Sequence, residues 1–264
     1  LGHVERVLPQ AESDRLEAGS SRPVRWWPAS DALLRQGLHG ALETLLPRVC
    51  VLCESRLGGP VAVESAPRLC PGCRGDLAGL PTVQRASGAS ARPIDAFWAA
   101  FPYRQPVSYL VQRFKYARDR VAGQVLAQLV QARVAEWLEA AAPEAILPIP
   151  LHPRRLRRRG FNQAAVLAHH LAVGSGCPLD TTRLRRVRAT RAQTELDLEA
   201  RRRNVRGAFR AIDGRPYRRV VLVDDVMTTG ATSEAAARAL RAVGVEWIAV
   251  VAASDADPTY HQRS

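Results

Sequence analysis

Residues 220 to 232 read Val-Val-Leu-Val-Asp-Asp-Val-Met-Thr-Thr-Gly-Ala-Thr, and this stretch restricts the fold more than any other part of the chain. Val220 to Val223 form an uninterrupted, mostly β-branched run, the pattern of a parallel strand covered on both faces. Ser233 to Val243 is rich in Ala with Arg and Glu on one side, which predicts a helix with one buried face. A strand that turns directly into a helix places Asp224 and Asp225 at the strand's carboxyl end, where open α/β sheets take their ligands. The expected fold class is therefore α/β, a parallel sheet flanked by helices.

The chemistry of the turn narrows the ligand. Thr228, Thr229, Gly230, Ala231 and Thr232 lead into the helix with backbone N–H groups unpaired, the helix dipole behind them and hydroxyls alongside. That arrangement suits a phosphate monoester. Adjacent carboxylates can accept hydrogen bonds from a vicinal diol, so phosphate and diol together indicate a ribose 5-phosphate. An ordinary strand-helix turn with a capping hydroxyl explains the turn but not the acid pair. A triphosphate-hydrolysing loop would need Gly-x-x-x-x-Gly-Lys-Ser/Thr, and no lysine lies near this turn.

The same residues resemble the phosphoribosyl pyrophosphate (PRPP) signature of type I phosphoribosyltransferases. The resemblance implies that Asp224 and Asp225 contact the ribose hydroxyls and that Thr228 to Thr232 cradle the 5-phosphate. It also implies magnesium, bridging diol and pyrophosphate, and displacement of pyrophosphate from the anomeric carbon by a nitrogen nucleophile. No residue declares itself as general base. His152 lies near the right loop, but a lone histidine beside proline is more often structural.

A second signal is Cys50-Val-Leu-Cys53 with Cys70-Pro-Gly-Cys73, two Cys-x-x-Cys pairs. This spacing is that of a four-thiolate structural zinc site. Disulfides are the competing reading, and they are disfavoured where no secretion signal is evident. Glu5, Arg6, Glu12 and Asp14 stand where a signal peptide would be apolar, and no run approaches the roughly 20 apolar residues of a membrane span. A cytoplasmic location without a membrane span is expected. Cys177 reads as a small packed residue.

With 264 residues and 47% hydrophobic content, the chain can hold one ordinary α/β domain and a small appendage. Residues 1–29 read as a loose extension. Residues 30–80 read as a Leu-striped helix followed by the four-Cys module, 81–93 as a Pro, Ser, Ala and Gly-rich linker, 94–256 as the main domain and 257–264 as a tail. Within the main domain, helices are predicted at 105–118, 121–140 and 161–173, with strands at 145–151, 220–223 and 247–253. Pro148 and Pro150 confine the first of those strands to an end or a bulge, which fits a strand whose tip becomes a loop over a ligand.

The net charge of +13 points to an acidic partner, and of 38 basic residues only Lys115 is a lysine. Arg154, Arg155, Arg157, Arg158 and Arg159 follow a strand end, and a second arginine-rich stretch spans 183–210. Three readings stay open for them: pyrophosphate binding through bidentate guanidinium forks, contact with a nucleic-acid backbone, and a solvated charged face.

Taken with the four-Cys module, several segments resemble the ComF family. They are Pro-Ile-Pro-Leu-His-Pro at 148–153, Arg-Gly-Phe-Asn-Gln at 159–163, Thr190, Gln193, Arg203-Asn204-Val205 and Gly207-Ala208-Phe209. The resemblance covers residues 40 to 255 and the family is named for competence for DNA uptake in natural transformation. It implies PRPP binding on a type I phosphoribosyltransferase fold, a zinc-ribbon-like appendage, and contact with single-stranded DNA and other DNA-uptake proteins. It carries no acceptor base. A non-catalytic single-stranded-DNA-binding protein that keeps the fold as a scaffold is the alternative.

Overall fold

A computed structural model of the chain describes residues 48–57, 68–86, 93–117, 119–190, 203–212, 214 and 217–256. The helix expected over 30–46, the extension 1–29, the tail 257–264 and Gln193 lie outside the described residues. In chain order the elements are α1 (Pro71–Ala78), β1 (Val83–Ala86), β2 (Ala96–Pro102), α2 (Val107–Tyr116), α3 (Arg120–Ala141), β3 (Ala145–Pro148), α4 (Pro153–Arg159), α5 (Gln163–Ser175), β4 (Leu184–Arg186), β5 (Phe209–Ala211), β6 (Arg219–Met227), α6 (Ala231–Arg241) and β7 (Trp247–Asp255).

Five strands form one sheet in the order β1-β2-β7-β6-β3. The pairs β2–β7, β7–β6 and β6–β3 are parallel, and only β1 runs antiparallel, against β2. The apolar runs of β6 and β7 take the interior positions, as strands without a polar face must. Pro148 ends β3, which pairs with β6 as the last strand of the sheet. On its other side Ile146 forms an isolated bridge with Leu179, through bonds to the Pro178 carbonyl and the Asp180 amide. Residues 83–86 fall inside the stretch read as a linker, yet they form β1. Four residues of strand between Pro81 and the Ser and Gly that follow are too short to give a periodic signal.

Alternating side chains divide the interior into two cores. Val221, Val223, Ala249 and Val251 face α2, α3, α5 and the residues around Cys50 and Leu77. Val220, Leu222, Ile248 and Val250 face α6, together with β4 and β5, which pair as a separate two-stranded sheet. The period of two along each strand thus builds a three-layer arrangement.

Two local constraints set the position of α2. Gly123 on α3 faces the Phe114 ring so closely that a Cβ there would lie 2.3 Å from it. Phe114 then packs against Phe161, with ring centroids 5.4 Å apart. Arg113, one residue earlier, donates to the Val51 carbonyl at 3.0 Å and pairs with Asp119 at 2.5 Å. Asp119 in turn caps α3 by accepting from the Ala122 amide at 3.0 Å.

Arg133 on α3 gathers the end of α1. Its guanidinium donates to the carbonyls of Leu77 and Leu80 at 2.6 Å, Ala78 at 3.0 Å and Ala100 at 3.2 Å, and lies 4.3 Å over the Phe101 ring. Removing it takes a charged donor from four carbonyls at once, of which Leu77 keeps a backbone donor in Leu80, and each lost bond costs about 1 kcal/mol. Arg133→Met is expected to lower stability by roughly 2–3 kcal/mol. Urea denaturation should show this as a lower midpoint with the slope unchanged.

Candidate functional site

β6 extends past its apolar run through Asp224, Asp225 and Val226 to Met227, so both acids stand on the last turns of pleat before the loop. Each carboxylate folds back on the chain. Asp224 Oδ1 accepts from the Asp225 amide at 2.8 Å, and Asp225 Oδ1 accepts from the Val226 amide at 2.6 Å. These local bonds hold the pair in place and leave the remaining oxygens for other partners.

The loop behaves as its sequence suggests. Gly230 has φ of +75° and forms the N-cap of α6, a left-handed conformation that glycine adopts without a Cβ penalty. α6 begins at Ala231, two residues earlier than predicted, and the Glu234 amide closes on the Gly230 carbonyl at 2.8 Å. Thr228, Thr229 and Thr232 are half-buried. The Thr229 hydroxyl is buried and has no hydrogen-bond partner, an arrangement that invites a polar ligand at this turn.

Cations converge on the acid pair from three elements. Lys115, on the last turn of α2, places Nζ 3.1 Å from Asp225 Oδ1. Arg186, on β4, is 8% exposed and acts on Asp224, while Arg155, on α4, acts on Asp225. Burial and then the Asp225 charge push the Asp224 carboxyl up to about 7, although the Asp225 amide, Lys115 and Arg186 pull the other way. Burial and the neighbouring Arg155 bring Arg186 down to about 10. Arg155 is likewise lowered, by burial first and then by Arg159 and Arg158.

Next to the acids lies a cavity of about 320 Å³ lined by His152, Arg154, Arg155 and Arg158 on one side and by Arg186, Ala189 and Thr190 on the other. None of these lining side chains is acidic. Arg186 Nη2 donates to the Thr190 hydroxyl, and its guanidinium lies 5.2 Å over the Phe209 ring, yet its buried Nε has no partner. A buried guanidinium and a half-buried one that lowers its pKa, in a cavity without acidic lining, call for an anion.

Of the five arginines singled out in sequence, Arg154, Arg155 and Arg158 therefore meet at one cavity. Arg157 is not in its lining, and Arg159 instead donates to Gln163 Oε1 at 3.1 Å. The segment is a helix, started by Pro153 and capped by His152, whose Nδ1 accepts from the Arg154 amide at 3.3 Å. Asn162 secures the next turn by donating to the Ile149 carbonyl at 3.0 Å and capping α5. Sequence reasoning assigned no site role to Lys115 and considered Arg186 only as one member of the arginine-rich stretch 183–210. For Lys115 a signal existed, the single lysine of an arginine-rich chain; nothing set Arg186 apart from the other arginines of its stretch, because its partners are distant in sequence.

Away from the sheet edge, the sulfurs of Cys50, Cys53, Cys70 and Cys73 lie within 4.8 Å of one another, with Cys53 and Cys70 3.6 Å apart. A tetrahedral zinc with Zn–S near 2.3 Å would set neighbouring sulfurs about 3.8 Å apart, so the cluster can hold a metal ion such as zinc. The thiols are unequal. Hydrogen bonds from the Ser55 hydroxyl and amide lower Cys53 to about 6, whereas burial and the other sulfurs raise Cys73. A divalent cation would relieve the crowding. Cys177 takes no part; its Sγ donates to the Pro143 carbonyl at 3.2 Å.

Comparison with known proteins agrees with this geometry. A family model described as a phosphoribosyl transferase domain matches residues 156–263, from α4 to beyond β7, so this part of the chain is a phosphoribosyltransferase-like domain. Competence protein F of Haemophilus influenzae is 39% identical over 154 residues, 56% of this chain and 67% of that protein. DNA utilization protein YhgH of Salmonella typhi is 34% identical over 188 residues, 70% of this chain and 80% of that protein. The Escherichia coli K12 protein of the same name is 35% identical over 133 residues. The chain belongs to the ComF family.

Asp224 also makes stability depend on pH. Its folded-state pKa lies above the value near 4 of an unfolded chain, so between the two values the unfolded state is the one that ionises. Stability contributed by the protonated carboxyl is full below about pH 4 and is lost as pH rises toward 7. Asp224→Asn should flatten this segment of the curve of urea midpoint against pH.

Proposed function

We propose that the chain binds PRPP as its magnesium complex and transfers the phosphoribosyl group to a nitrogen acceptor with release of pyrophosphate. The observation that carries the reading is the adjacency of three complementary parts at the carboxyl end of the sheet. These are the acid pair, the Gly230 turn with its unpartnered Thr229 hydroxyl, and the arginine-lined cavity. Asp224 and Asp225 would accept hydrogen bonds from the ribose diol. The amides and hydroxyls from Thr228 to Thr232, including Gly230 and Ala231, would hold the 5-phosphate at the start of α6. Arg154, Arg155, Arg158 and Arg186 would face the pyrophosphate, where fixed positive charge favours the leaving group as its negative charge develops. Arg157 and Arg159 flank that group on the same helix.

Magnesium fits the donor set, because the two carboxylates already attract one cation, the Lys115 ammonium. When bound, it would neutralise charge shared between diol and pyrophosphate. The chain's own contribution is to position the sugar and to offset the leaving-group charge. Zinc at the four cysteines would be structural, since four thiolates leave no open coordination position. Reduced thiols of this kind fit a cytoplasmic location. Among the described residues no helix is long and apolar enough to cross a membrane.

The names carried by the relatives, competence and DNA utilization, support a role in DNA uptake, alongside other proteins of that process. A second reading, single-stranded-DNA binding without turnover, draws on the basic cavity and the net charge of +13. It is the weaker of the two. It leaves the acid pair and the Gly230 turn without a task, and of the aromatics near the arginines Phe161 is packed against Phe114 and Phe209 lies under Arg186, which leaves the exposed Tyr116 as the ring open to a base.

Calorimetry with magnesium should detect PRPP binding that is weakened about a hundredfold or more in Asp224→Asn/Asp225→Asn, the loss expected when hydrogen bonds to charged groups are removed. Binding that survives the double substitution excludes this site. A screen of bases for pyrophosphate release identifies the acceptor, and a salt-sensitive shift of single-stranded DNA with no turnover favours the second reading. Metal analysis should find one zinc per chain, lost in Cys50→Ser.

A further inference from the structure

Lys115 is the sole lysine among 38 basic residues, and among the described residues it is the cation that forms an ion pair with the acids, at Asp225. An ammonium on a four-carbon stem is a compact, mobile charge, whereas a guanidinium would lock a carboxylate bidentately. Its helix is firmly seated on the N-terminal side: Arg113 is bound to Val51 and Asp119, and Phe114 is buried. The Lys115 side chain is 17% exposed, and movement at this point falls to its four-carbon stem. Tyr116, the next residue, is 71% exposed and lies close enough to Arg155 to influence its ionisation, so α2 ends beside the basic cavity. Lys115 stands between two places that can use a positive charge.

A divalent cation and an ammonium compete for the same carboxylate oxygen. With Nζ 3.1 Å from Asp225 Oδ1, a metal arriving alone must displace Lys115 and leave its charge unpaired at a site where Arg155 and Arg186 already act on the acids. A metal arriving with a polyphosphate gives the displaced ammonium a new anionic partner. We infer that Lys115 is a two-position cation: it occupies Asp225 when the site is free, and moves to the polyphosphate when a divalent metal takes its place on the carboxylate. Lys115 thereby makes metal and polyphosphate bind as a unit and disfavours metal alone. The inference rests on the reading of Asp224 and Asp225 as the sugar and magnesium site.

The test uses the full chain with Mn²⁺ as the metal and inorganic pyrophosphate as the polyphosphate. Free Mn²⁺ is followed by electron paramagnetic resonance, and binding of the Mn²⁺–pyrophosphate complex by calorimetry. Lys115→Met keeps the length of the stem and removes the charge. The expected result is about tenfold tighter binding of Mn²⁺ alone and about tenfold weaker binding of the Mn²⁺–pyrophosphate complex, the scale of one partly buried ion pair. Lys115→Gln serves as a second neutral variant if the first does not melt cooperatively. Mn²⁺ binding that is no tighter in the neutral variants, or complex binding that is unchanged, overturns the inference and leaves Lys115 a fixed partner of Asp225. Opposite shifts of the two affinities uphold it even if the wild-type chain binds no PRPP, an outcome that would sink the proposed function instead.

Discussion

Consecutive carboxylates at the end of a strand buried on both faces pose a charge problem that the surrounding structure is arranged to meet. Asp224 and Asp225 cannot move apart, because each is tied to the next backbone amide. Their repulsion, added to burial, shows in the elevated pKa of Asp224. Three cations approach from elements that are far apart in sequence: α2 supplies Lys115, α4 supplies Arg155 and β4 supplies Arg186. The positive groups then exceed what two acids can balance, and the surplus faces a cavity without acidic lining. Negative and positive halves of one site thus arise from a single local decision to place two aspartates at a sheet edge.

The features that sequence exposed are those governed by local patterning. β6, α6 and the turn between them were legible because an apolar run, an acid pair and a hydroxyl-rich loop each have one conformational meaning. The cysteine spacing was legible for the same reason, since ligand geometry dictates it. α4 was not recognised as a helix: Pro-Arg-Arg-Leu-Arg-Arg-Arg has no apolar stripe, and its start depends on a histidine cap. β4 and β5 have three residues each, too few to carry a period, and are held by pairing with one another. Lys115 and Arg186 belong to the site through contacts across the fold, which no linear pattern encodes.

The parallel sheet assigns separate tasks to its two faces. One face carries α2, α3, α5 and the cysteine-bearing segment; the other carries α6 and the small β4–β5 sheet. The candidate site forms where both sides reach the carboxyl edge. Lys115 comes from the first and Arg186 from the second. Neither layer alone completes it. Arg113 adds a direct connection, since the helix that delivers Lys115 is bonded to the carbonyl of Val51, between the cysteines of the first pair.

The Arg133 cluster bears on where this molecule can be divided. A chain cut after Leu80 would lose the carbonyls of Leu77, Ala78 and Leu80, leaving one guanidinium with Ala100 and the Phe101 face. Cys50, Val51, Leu69 and Leu77 would also vanish from the core beneath α2 and α3. The cysteine segment is then a wall of the α/β domain and not an ornament hung on it.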